Sequence, residues 1–232
     1  MRFFTLLLLL LVCPAGAAET IRVAVAANFR ATLQDISAGF ERASGHRVIL
    51  SSASTGMLYT QITHGAPFDL FFAADRATPE KLLASGAFPT AQSTFCYARG
   101  ALVLAGAEHG GNSLANPARS LAIANPATAP YGVAALEVLE RPEFAAGKAR
   151  KLVRGSNVVQ AYQFWHSGAV DLALVPRALA PGAWQVPLDW YSPIEQHAIA
   201  LGHSEAVDAY LKWIRSDTVR NLIEDAGYDP CP

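Results

Sequence analysis

Phe95-Cys96-Tyr97-Ala98-Arg99-Gly100-Ala101-Leu102-Val103-Leu104-Ala105 decides the fold. The run reads as one long strand, long enough to leave one compact unit and enter another. Upstream, Ile21-Arg22-Val23-Ala24-Val25-Ala26 is a short β-rich run, and Leu33, Ile36 and Phe40 follow Asn28 at helical spacing. Strand, turn, helix is the unit. Residues 48–52 form the next strand, 57–64 the next helix, and 69–73 a strand too apolar to face water. Thr78 as N-cap, with Pro79 at the first helical position, starts a helix that ends near Gly86. Downstream the same order returns as a strand at 121–124, helices at 133–139 and 158–166, and a strand at 172–175. Residues 195–201 read as a further strand. Residues 204–226 carry Val207, Leu211, Ile214 and Leu222 at helical spacing and read as one helix that ends at Gly227 and returns to the first lobe. The expected architecture is α/β and bilobal: residues 18–97 plus 198–232 form one lobe and 98–197 the other, joined by short ordered crossings that suit a hinge.

The 232 residues are 52% hydrophobic and 16% charged, which excludes disorder, collagen and coiled coil. A formal net charge of -1 and no basic stripe leave no grip on a polyanionic duplex, so nucleic acid is not an expected partner. Arg2, the apolar residues 3–12 and Ala15-Gly16-Ala17 have the layout of a secretory signal peptide cleaved near Ala17. Export to the periplasm is expected. Leu10-Leu11-Val12-Cys13 loosely resembles a lipoprotein signal, which keeps lipid anchoring at Cys13 as the alternative. No second apolar run of about 20 residues follows, so the mature chain is expected to be soluble. Cys96 and Cys231 remain in an oxidising compartment, either joined as a disulfide from mid-chain to the far C-terminus or as two separate thiols.

Catalytic motifs are missing: there is no G-x-S-x-G elbow, no phosphate-binding G-x-x-x-x-G-K-[ST] loop and no H-E-x-x-H. His46, His64, His109, His166, His197 and His203 are scattered, and Asp69 and Asp75 flank a strand where a structural role is the default. What recurs is a small polar or Gly/Pro group where a strand hands over to a helix. Four such places occur: Ala27-Asn28-Phe29, Ser54-Thr55-Gly56, Pro130-Tyr131-Gly132 and Ser156-Asn157-Val158. Helix N-termini carry free amide donors and a partial positive charge, so several converging on one cleft would hold an anion without Lys or Arg. Taken singly, each is equally a helix cap; two per lobe favour a shared site.

These residues resemble the periplasmic molybdate-binding proteins of ABC importers. The resemblance runs through I-R-V-A-V-A-A-N-F from Ile21, S-S-A-S-T-G-M-L-Y-T-Q-I from Ser51, G-A-P-F-D-L-F-F-A-A-D from Gly65, A-N-P-A-T-A-P-Y-G from Ala124, G-S-N-V-V-Q-A from Gly155 and A-G-Y at the end of the closing helix. It implies a type II bilobal binding protein, not an enzyme, without cofactor and monomeric, that closes on molybdate or tungstate and delivers it to an ABC permease. By position it implies oxyanion ligands at Asn28 and Thr55 in the first lobe, with Ser54 taking the hydroxyl role if the loop register slips by one. In the second lobe Tyr131 and Val158 would act mainly through backbone N–H groups. Pro176 stands where some members place a tyrosine that contacts the oxyanion, and the two side-chain N–H bonds of Asn28 are the expected replacement.

Arg30 and Arg177 lie close in sequence to two of the helix starts, and rim steering is the expected role for them. Tyr59, Tyr97 and Trp165 read as packing residues. The alternatives are a binding protein for sulfate, phosphate or an organic anion, an exported enzyme using Asp69 or His166, and a sensory domain.

Overall fold

The computed structural model describes residues 18–88 and 93–232; the expected signal peptide and Cys13 lie outside them. The first lobe is built from β1 (Thr20–Ala26), α1 (Arg30–Ser44), β2 (Arg47–Ala53), α2 (Thr55–Thr63), β3 (Leu70–Phe72), α3 (Ala77–Ala84) and β4 (Thr94–Gly100). The chain then crosses into β5 (Leu102–Ala105), β6 (Leu121–Ala124), α4 (Pro130–Glu140), β7 (Leu152–Gly155), α5 (Val158–His166), β8 (Leu172–Pro176) and β9 (Trp184–Gln185). It returns through β10 (Ile194–Ala200) and closes with α6 (Glu205–Ile214) and α7 (Asp217–Asp225).

Two five-stranded sheets result, with orders β2-β1-β3-β10-β4 and β7-β6-β8-β5-β9. β1 is parallel to β2 and β3, and β6 to β7 and β8, as strand–helix–strand connections require. β10 runs antiparallel to both β3 and β4, and β5 antiparallel to β8 and β9. The strands that carry the chain between lobes are therefore stitched into the sheets, so the crossings are made of ordered backbone. Pairing of β10 with β4 runs from Ile194↔Gly100 to Ile199↔Thr94, so residues 98–100 and 194–197, expected in the second lobe, are bonded into the first sheet.

The run from Phe95 does cross between lobes, but it is two strands broken at Ala101. Gly100 explains the tight passage: a β-carbon there would sit 1.9 Å from the Tyr131 hydroxyl. Only glycine admits that approach.

Buried Leu33, Ile36 and Phe40 turn one face of α1 onto the first sheet, where Val23 and Val25 are fully buried, and onto Val207, Tyr210, Ile214, Val219 and Ile223 of α6 and α7. Each such large side chain contributes about 1.5 to 3 kcal/mol on burial. The closing segment thus belongs to the first lobe, but as two helices. Ser216 interrupts it and caps α7, its Oγ accepting from Val219 N–H at 3.4 Å. The start of α3 also differs from expectation. Asp75, not Thr78, supplies the cap: its carboxylate accepts the Thr78 N–H at 2.7 Å and the Thr78 hydroxyl at 3.0 Å. The edge strand β7 carries too few residues to stand out by periodicity, yet it pairs with β6 from Leu121↔Leu152 to Ala124↔Gly155.

Candidate functional site

Four chain turns meet between the lobes. The narrow gap between them is lined by Asn28 ahead of α1, Ser54 and Thr55 at the start of α2, Pro130 and Tyr131 at the start of α4, and Asn157 and Val158 at the start of α5. Small residues, Ala26, Ala27, Ala74 and Ala129, complete the wall. All five residues singled out in the sequence, Asn28, Ser54, Thr55, Tyr131 and Val158, are buried here. No Lys, Arg, His, Asp or Glu lines the gap.

Its chemistry is that of uncommitted donors. Among the described residues the main-chain N–H groups of Asn28, Ser54, Thr55, Tyr131, Asn157 and Val158 have no acceptor, while their neighbours are paired. Phe29 N–H bonds to Ala26 at 2.9 Å, Gly132 N–H to Ala129 at 2.8 Å, and Val159 and Gln160 N–H to the Asn157 side chain at 2.9 and 3.1 Å. The Ser54 hydroxyl is buried and has no partner among the described residues, although Ser54 occupies the N-cap position of α2. Thr55 Oγ1 accepts the Ala74 N–H at 3.0 Å, which fixes the oxygen and leaves its own proton free. Buried polar groups are rarely left unpaired, so this many in one place mark a ligand position. Four helix dipoles add positive potential to it.

Behind the gap lies a buried polar network that the sequence does not reveal. Gln196, fully buried on β10, accepts Asn28 Nδ2 at 2.6 Å and the Tyr97 hydroxyl at 3.2 Å, and donates through Nε2 to the Tyr131 hydroxyl at 3.4 Å. A register shift in β10 falls between Gln196 and His197. Tyr228 donates to the Asn28 carbonyl at 2.7 Å and accepts from Asn28 Nδ2 at 3.3 Å. Both protons of the Asn28 side-chain amide are therefore engaged inside the protein, which corrects the expectation that they replace a missing tyrosine donor. Asn28 offers its main-chain N–H instead. Burial pushes the hydroxyls of Tyr97 and Tyr131 well above the ordinary phenol range and raises Tyr228 as well, so the network stays neutral.

The remaining candidates lie elsewhere. Pro176 ends β8 opposite Leu102 and does not line the gap. Arg30 is exposed. Arg177 is held by Asp229 at 2.7 Å and by the Gly227 carbonyl at 2.9 Å, away from the gap. Asp69 accepts the Arg22 N–H at 2.6 Å as a strand-edge cap, and His166 stacks on Tyr162 at the surface. Trp165 packs beneath the second sheet, and Tyr59 packs in the first lobe with Lys81 over its ring. Cys96 and Cys231 are joined as a disulfide. Among the described residues no group of three or more His, Cys, Asp or Glu side chains could hold a metal ion, and no helix is long and apolar enough to cross a membrane.

Across the mouth of the gap the Gly56 N–H donates to the Thr128 carbonyl at 2.9 Å and joins the lobes. The gap shares Ala74, Ala129 and Pro130 with a larger groove that also reaches Asp75 and Glu137.

Neutral donors converging between two α/β lobes are the arrangement of a solute-binding protein. The chain belongs to the bacterial extracellular solute-binding protein family, whose model matches residues 21–229. It is 40% identical to the molybdate-binding protein ModA of Azotobacter vinelandii over 94% of this chain and 93% of that one. It is 37% identical to ModA of Rhodobacter capsulatus over 94% and 91%. Among solved structures, the periplasmic molybdate-binding protein of Azotobacter vinelandii superposes with a TM-score of 0.82 at 35% identity, covering 91% of this chain and 100% of that chain.

Proposed function

We propose that this protein captures molybdate, and tungstate as well, in the gap between its lobes and delivers it to the permease of an ABC importer. In this reading the chain is exported, cut near Ala17, and works in the periplasm as a monomer without cofactor or nucleic acid. The observation that carries the reading is the set of unpaired neutral donors from both lobes around a gap with no cation and no carboxylate.

A buried dianion needs each oxygen bonded, and a hydrogen bond to a charged acceptor contributes about 1.5 to 3 kcal/mol against lost hydration. Main-chain N–H of Asn28, Thr55, Tyr131 and Val158, with the hydroxyls of Ser54 and Thr55, supply such bonds from fixed positions. Fixed donors select by radius: molybdate and tungstate are nearly equal in size, while sulfate is smaller and stretches every bond. A protonated phosphate is disfavoured for a second reason, since no carboxylate lines the gap to accept its proton.

Calorimetric titration with molybdate, tungstate, sulfate and phosphate tests this directly. Tight one-to-one binding of the first two and much weaker binding of the others is expected. A preference for sulfate or phosphate would assign the gap to another anion.

A further inference from the structure

Tyr228 reaches Asn28 across 200 positions of sequence. Helix α7 ends at Asp225, and Gly227, at φ 92°, takes the left-handed conformation that turns the chain out of the helix. Tyr228 follows, 3% exposed, its ring edge-on to Phe29 at 5.3 Å. Its hydroxyl donates to the Asn28 carbonyl and accepts from the Asn28 amide, so one phenol holds residue 28 by its main chain and its side chain together.

The residues beyond Tyr228 form a strap fastened at three points. Asp229 exchanges main-chain hydrogen bonds with Arg99 at 2.8 and 2.9 Å. The Asp229 carboxylate binds Arg177 at 2.7 Å, and Arg177 Nε donates to the Gly227 carbonyl at 2.9 Å, which ties the strap to the end of β8 in the second lobe. Cys231 is covalently bonded to Cys96 on β4, next to Tyr97, whose hydroxyl bonds Gln196.

We propose that this strap positions the anion site: the disulfide and the Arg177–Asp229 pair hold Tyr228, and Tyr228 holds Asn28 where its main-chain N–H serves the anion. Tyr228 is a positioning residue, since it does not line the gap. Asn28 lies in a turn ahead of α1, outside any strand or helix, so side-chain contacts must supply the order that a ladder supplies elsewhere. The inference rests on the oxyanion reading of the gap.

The test is oxyanion affinity, measured by calorimetry for the oxidised protein, the protein reduced by dithiothreitol with both thiols counted, Tyr228→Phe oxidised, and Tyr228→Phe reduced. All four are titrated with molybdate, tungstate and sulfate well below their unfolding midpoints. Reduction and Tyr228→Phe are each expected to weaken the best-bound anion by about tenfold, one hydrogen bond's worth. The reduced variant should be no weaker than either alone, because both changes act through one contact. A merely structural phenol would lower the unfolding midpoint and leave the affinities alone. Losses that multiply, or affinity indifferent to both changes, overturn the strap while leaving the function standing; failure of the oxidised wild type to bind any of the three anions sinks both. Asp229→Asn, which loosens the clasp without touching the core, is expected to weaken binding several-fold and carries the test if Tyr228→Phe does not fold.

Discussion

Asn28 Nδ2 meets Gln196 Oε1 at 2.6 Å, both residues buried and 168 positions apart. The pair joins a turn of the first lobe to β10, the strand that brings the chain back from the second lobe, and the same glutamine reaches Tyr131 of the second lobe. Two residues that line the gap from opposite lobes are thereby referred to one internal amide. Asn28→Ala takes one of two partners from the Gln196 Oε1 and from the Tyr228 hydroxyl, which keeps the main-chain carbonyl of residue 28, so a stability loss of about 1 to 3 kcal/mol by urea unfolding is expected, together with weaker oxyanion binding. An unchanged urea midpoint would show that the bond is not held in solution.

Ser54 and Thr55 are neighbours with opposite debts. Ser54 Oγ is buried without a partner among the described residues, so Ser54→Ala removes an unpaired group and should leave apo stability unchanged or slightly higher while lowering oxyanion affinity by about 10- to 100-fold. Thr55→Val also strands the Ala74 N–H and should cost stability as well as affinity, whereas Thr55→Ser should retain both. Calorimetry paired with thermal unfolding separates the two patterns; equal stability losses at both positions would contradict the assignment.

Gly56 lets the lobes touch. A β-carbon there would lie 3.1 Å from Thr128 Cα and 3.2 Å from its carbonyl oxygen, across the mouth of the gap. Gly56→Ala is expected to hold the lobes apart by a few tenths of an ångström and to speed anion dissociation, read by stopped-flow release, with little change in the unfolding midpoint. Dissociation as slow as in the wild type would mean that this contact does not seal the site.

His197 sets an acid limit. Burial lowers its pKa below the ordinary 6.5, helped by the Arg76 charge and opposed by Glu195, Glu80 and Asp75. The unfolded chain then binds the proton more readily, so stability is full above about pH 6.5 and falls as the pH drops toward the depressed folded value. Asp75, raised mainly by burial, works in the opposite direction at lower pH. Urea midpoints between about pH 7.5 and about pH 5.5 should decline in the wild type, and His197→Gln should flatten the curve. Equal slopes in the two proteins would remove His197 as the cause.

Local chemistry made much of this protein legible. Strand and helix periodicity around Val23, Leu33, Leu70 and Val158, the crossing after Phe95 and the four helix starts are all written within a few residues of where they act, because side-chain alternation and capping are short-range effects. Tertiary structure decided the rest. It broke the closing helix at Ser216, gave α3 its Asp75 cap, engaged the Asn28 side chain with Gln196 and Tyr228, and left Ser54 unpaired. Whether a buried polar group finds a partner depends on which distant segment the fold brings against it, and no local pattern records that.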